Sequence, residues 1–135
     1  MNPLVYGYAN VVNSNSRWDW NNDITGGASL TKTQKSKIKH AAIDRGLIPN
    51  IQMKPGTNYT DFETPGLIVR IDYLPRELWD ASDPVQFRLL NNRIPGGQPI
   101  GYTWHHSEIP GKMELVPFGI HNIVNHIVGR SKNHW

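Results

Sequence analysis

Of the six histidines in this 135-residue chain, four fall within "YTWHHSEIPGKMELVPFGIHNIVNH" (102–126), and two of these, His105 and His106, are adjacent. On a β-strand, adjacent side chains point to opposite faces, so one imidazole can bind a cation while its neighbour faces solvent. His121 follows 15 residues after His106, beyond a tight turn at "IPGK" (109–112). A strand–turn–strand–helix unit of that length folds the helix back across the strands and can bring a strand histidine and a helix histidine around one ion. On the helix, Asn125 lies one turn from His121 and shares its face, whereas His126 stands about 140° around the axis. Such a set suits metal-assisted phosphodiester hydrolysis. A neutral imidazole takes a proton from water at neutral pH, and a divalent cation held by two or three N/O ligands polarises the phosphate. His40 and His134 stand alone and read as ordinary satisfied polar groups.

These residues need elements to position them. "IGYTWHH" and "MELV" (113–116) read as paired strands, and "FGIHNIVNHIVG" as a helix ended by Gly129. Upstream, "LIVRIDYLP" (67–75) reads as a strand stopped by Pro75. A helix is expected from about Pro84 to Asn92, capped by Asp83, with Val85, Leu89 and Phe87 turned to the core. The clearest helix of the first half runs from Lys32 to Arg45, with Thr31 or Ser29 as its cap, Gly46 as its close and Pro49 as a stop. Its inner face is Ile38, Ala41, Ala42 and Arg45, and Lys32, Lys35, Lys37 and Lys39 give it a basic skin. Residues 1–29, rich in Asn, Ser and Gly, read as a poorly structured segment or a junction from a longer polypeptide, ahead of a working domain at 30–135. The expected class is α+β: one small domain with a C-terminal ββα unit at about 100–129, packed on helices and a short strand.

Composition narrows the chemistry. The chain has no cysteine, so a metal must be held by His, Asp, Glu or Asn. The hydrophobic fraction of 38%, with 12 Gly and 10 Pro, implies short elements and many turns. No apolar run is long enough for a membrane span, and the N-terminus does not read as a signal peptide. The formal charge is +3, unevenly spread: residues 1–60 hold seven Lys/Arg against three Asp, residues 61–100 four Arg against six acids. A basic N-terminal surface beside a histidine-rich unit suits a polyanionic substrate.

The segment "GYTWHHSEIPGKMELVPFGIHNIVNH" resembles the WHH branch of the HNH/endonuclease VII nucleases, which carry the ββα-metal or His-Me finger. The resemblance rests on aromatic–Thr–Trp–His–His, an acid-containing hairpin, the Lys–Met–x–Leu–Val–Pro strand and His–Asn with a further His on the helix. With "PVQFRLLNNRIPGGQPI" leading into it, it spans Pro84 to about Gly129. It implies that His106 is the general base, that His105 and His121 ligate the metal, and that Asn125 or His126 completes the site. Trp104 packs beneath the finger. The cofactor implied is one divalent ion (Zn, Mg, Mn or Ni). The family is found largely as C-terminal toxin modules of secreted bacterial polypeptides, neutralised by a cognate immunity protein and acting in the target-cell cytoplasm. The expected activity is a DNA endonuclease of little sequence specificity, with Lys35, Lys39, Arg88, Arg93, Arg130 and Lys132 contacting phosphates. The alternatives are an RNase using two histidines as acid and base without metal, and a non-catalytic metal- or nucleic-acid-binding module.

Overall fold

The computed structural model describes residues 2–124, which divide into two compact units: residues 2–50 with Phe118–Ile123, and residues 51–117 with Val124. The elements are helices and a three-stranded antiparallel sheet, an α+β chain.

The first unit opens on α1 (Pro3–Asn13), where a loop is expected from composition. The Asn2 side chain accepts from Leu4 N–H, and Pro3 occupies the first turn, where its missing N–H costs nothing. Its buried residues, Val5, Tyr8, Ala9 and Val12, recur at the spacing of one helical face. Glycine, asparagine and tyrosine between them hide that period, so the correction to 1–29 is a packing effect rather than a propensity effect. A short α2 (Trp20–Asp23) is capped by Asp19, which accepts from Asn22 N–H. Trp18 and Trp20 close on Tyr8, the Trp20 ring stacking at 5.2 Å and the Trp18 ring edge-on at 5.7 Å. Burial pushes the Tyr8 phenol up to about 12.

Helix α3 (Lys32–Asp44) forms as its capping residues require: Thr31 and Gln34 exchange side-chain and backbone hydrogen bonds. It lays Ile38 and Ala42 against α1. Helix α5 (Phe118–Ile123) completes this unit and is held at both ends. Asn15 Oδ1 accepts from Gly119 N–H at 3.0 Å, and the Lys39 ammonium donates to the Ile123 carbonyl. Val124 is extended (φ −89°, ψ 124°), so α5 ends at Ile123, short of the expected Gly129. Asn125, His126, Arg130 and Lys132 lie outside the described residues.

In the second unit, β3 (Lys112–Pro117) is the central strand, flanked by β1 (Arg70–Tyr73) and β2 (Tyr102–His106). The β2–β3 register pairs Trp104 with Leu115, His105 with Glu114 and His106 with Met113. Cross-strand partners share a face, so His105, Glu114 and Ile71 lie on one side, and His106, Met113 and Asp72 on the other. Helix α4 (Asp83–Asn92) starts one residue before the expected position, with Ser82 rather than Asp83 at the cap. It packs by Leu90 into a core of Leu74, Trp104, Met113 and Leu115, edged by Phe87 and Leu89. Val85, expected inside, is 41% exposed, and Gln86 takes the inner position at 0%. Residues 86 and 90 are one helical turn apart, so the inner stripe runs through them and leaves Val85 to the side. Trp104 is buried, and its indole N–H donates to Asn91 Oδ1 at 2.8 Å, tying β2 to α4. At the hairpin, Gly111 adopts φ +76°, and a Cβ there would meet the Trp79 indole nitrogen at 2.7 Å. Lys54 pairs with Glu108 beside this turn.

Two outcomes follow from this packing. A Cβ on Gly119 would fall 1.8 Å from the Val12 carbonyl oxygen, far inside van der Waals contact. Gly119→Ala is expected to cost at least about 2 kcal/mol of stability through overpacking, read as a lowered urea midpoint; an unchanged midpoint would refute the close approach. For Glu108, burial alone would raise the carboxyl, but the Lys54 hydrogen bond and charge outweigh it and hold it below the ordinary value. Such a depressed carboxylate stabilises the fold above the ordinary glutamate pKa, and that contribution is lost as pH falls through the depressed one. Glu108→Gln should therefore melt lower than the parent at neutral pH and level with it in acid. The same deficit at both pH values would show that the charge contributes nothing.

Candidate functional site

Strand alternation sends His105 and His106 to opposite faces, as their adjacency requires. Neither ring faces solvent: His105 is 3% and His106 6% exposed. The expected solvent-facing partner is therefore absent, because α4 covers one face of β2 and the Phe62 segment the other.

The His106 ring lies beneath α4. Its Nε2 is 2.8 Å from Gln86 Oε1 and 3.7 Å from Asp83 Oδ1, and the Phe87 ring stands 6.2 Å away, centroid to centroid. The Gln86 amide nitrogen donates onward to the Leu78 and Trp79 carbonyls, at 2.8 and 3.1 Å. A polar network of this kind holds an imidazole in one orientation, which a proton-transferring group needs.

His105 stands edge-on to Phe62, with centroids 4.9 Å apart. Across the strands it faces Glu114, also buried. Burial raises the Glu114 carboxyl above its ordinary value, against the opposing pull of Lys112 and Lys54; Lys112 Nζ lies 3.7 Å from Glu114 Oε2. His105 and Glu114 thus give one imidazole and one carboxylate on the same face, donors that suit a borderline or hard divalent cation. A catalytic site of this sort uses about three protein ligands. Among the described residues, no three His, Asp or Glu side chains converge to hold a metal. The described donors fit the chemistry of a cation but fall short of a complete site.

His121 lies on α5, in the first unit, so its setting is that of the N-terminal helices. The basic residues differ in their availability. Lys35 Nζ sits 5.6 Å above the Trp20 ring, and Lys39 is engaged with the Ile123 carbonyl, burial lowering its pKa. Arg93 donates to Asp72 Oδ1 and the Tyr73 carbonyl, both at 3.0 Å, binding the end of α4 to β1. Arg88 is exposed on the outer side of α4.

Gln86 and Glu114 are absent from the residues expected from sequence. Each carried a signal: a glutamine in helical register with Leu90, and an acid inside the apolar run "MELV" directly opposite His105. Among the described residues, no helix is long and apolar enough to cross a membrane.

The family model described as a nuclease of the HNH/ENDO VII superfamily with conserved WHH matches residues 95–135. That segment contains β2, β3 and α5, and Gln86 lies upstream of it. No curated protein and no solved structure matches the chain. The tryptophan and paired histidines of the signature are Trp104 in the core, His105 on the Glu114 face and His106 beneath α4. Residues 95–135 are thus similar to the WHH nucleases of the HNH/ENDO VII superfamily.

Proposed function

We propose that the chain is a metal-dependent endonuclease that hydrolyses DNA with little sequence specificity. The observation that supports this reading best is the WHH segment with His106 hydrogen-bonded beneath α4. In the hydrolysis, His106 takes a proton from an attacking water. The water oxygen bonds to phosphorus, the opposite P–O bond breaks, and the leaving oxygen is protonated from solvent. A divalent cation, when bound, stabilises the charge that builds on the phosphate and the leaving oxygen. By the family resemblance, His105 and His121 would ligate it, and Asn125 or His126 would complete or orient the site. The excess of Lys/Arg over Asp in residues 1–60 supports a polyanionic substrate, and the lack of a base-reading motif supports low specificity.

The biological reading is a toxin module for competition between bacteria. It is carried by a larger secreted polypeptide, acts in the target-cell cytoplasm and is neutralised by a cognate immunity protein. It rests on the resemblance of Pro84–Gly129 to such modules.

Purified protein incubated with plasmid DNA and with total RNA, across Mg, Mn, Ni and Zn and with EDTA, tests the activity. Cleavage of DNA that EDTA abolishes is expected. EDTA-resistant cleavage of RNA alone would replace the proposal with a metal-free histidine acid–base mechanism. His106→Ala is expected to lower cleavage ~10²–10⁴-fold, the usual contribution of a general base, with an unchanged circular dichroism spectrum. Full activity in that variant would remove His106 from the chemistry.

A further inference from the structure

A neutral imidazole carries its proton on Nδ1 or Nε2, and only the other nitrogen can act as a base. The surroundings of His106 decide between them. Gln86 is fully buried on the inner stripe of α4, and its terminal amide has three neighbours. Two are the backbone carbonyls of Leu78 and Trp79, at 2.8 and 3.1 Å. Carbonyl oxygens only accept, so the half of the amide facing them must be NH2. That leaves Gln86 Oε1, which also only accepts, 2.8 Å from His106 Nε2. Two acceptors cannot share a hydrogen bond, so Nε2 must carry the proton. Asp83 Oδ1 adds negative potential on the same side, at 3.7 Å, beyond hydrogen-bond reach.

We propose that Gln86 is a positioning residue: held by the Leu78 and Trp79 carbonyls, it fixes His106 in the Nε2–H form, so that Nδ1 carries the lone pair through which the ring can accept a proton. This rests on His106 being the base. The 3₁₀ turn at Arg76–Leu78 and the residue after it supply the two carbonyls, so the tautomer is set by backbone as well as side chain. The assignment also gives α4 a part in the reaction, although it lies before the segment that matches the WHH family.

The test reads the tautomer directly, without metal or substrate. In the 135-residue chain labelled with 15N-histidine, two-bond 15N–1H spectra distinguish the two neutral forms, and His106→Ala identifies the resonances. The wild type should show Nε2–H. Gln86→Met, close in volume but with only a weakly accepting sulfur, should bring the Nδ1–H form up to a comparable population. Its kcat should fall ~10–100-fold, the range typical of partners that orient a metal-ligating histidine, with KM nearly unchanged. Gln86→Glu keeps an acceptor towards Nε2 but sets an oxygen against the two carbonyls. It should lose stability yet retain Nε2–H, which separates positioning from packing. An Nδ1–H wild type, or a Gln86→Met spectrum identical to it, would overturn the proposal. Inactive wild-type protein that shows Nε2–H, shifted by Gln86→Met, would sink the nuclease reading and leave the tautomer assignment standing.

Discussion

Burying an amide without partners costs about 1–3 kcal/mol, and more when a second polar group is buried against it. The second unit is organised around meeting that condition at Gln86. The glutamine satisfies three groups at once: two carbonyls that the 3₁₀ turn leaves pointing inward, and the imidazole of His106. The Leu78 carbonyl also accepts from Ala81 N–H at 3.1 Å, so Gln86 adds a side-chain partner to a turn that the backbone already closes. Leu90 and Trp104 then pack beside this network, and the Trp104 indole is itself satisfied by Asn91, one further turn along α4. Helix and strand are thus joined by hydrogen bonds inside the core as well as by apolar area. That fixes distance and orientation more tightly than burial alone, because hydrogen bonds are directional.

The two faces of β2 are built on different principles. Beneath α4 the neighbours of His106 are mainly neutral, an amide and aromatic or aliphatic side chains, with one carboxylate at a distance. On the opposite face, His105 stands among charges: Glu114 across the strands, Lys112 beside it and the Lys54–Glu108 pair near the turn. A neutral hydrogen-bonded environment orients a ring, and a charged one sets a local potential. The single hairpin therefore separates two electrostatic settings by the thickness of one strand.

Much of this was legible in the sequence because short-range rules decide it. The alternation of His105 and His106, the tight turn at 109–112 and the Thr31–Gln34 cap each depend on residues close together in the chain. What escaped depends on distant partners. Helix α1 is held by an apolar face laid on α3, and its weak helix formers gave no local sign of that. Gln86 reads as a surface residue until the Leu78 and Trp79 carbonyls are known to point at it. The burial of both histidine rings depends on Phe62 and α4, which come from other parts of the chain.

The β2–β3 register has a consequence for how such a chain can vary. Side chains in a strand repeat every second residue, so a slip by one exchanges the two faces completely. It would carry His105 under α4 and His106 to the Glu114 side, each imidazole intact and in the other's place. Substitutions in the turn at 107–111 leave that parity alone, whereas gaining or losing one residue there threatens it. The length of this loop is thus held to a parity that the chemistry of the two histidines imposes, even where the identity of its residues is open to change.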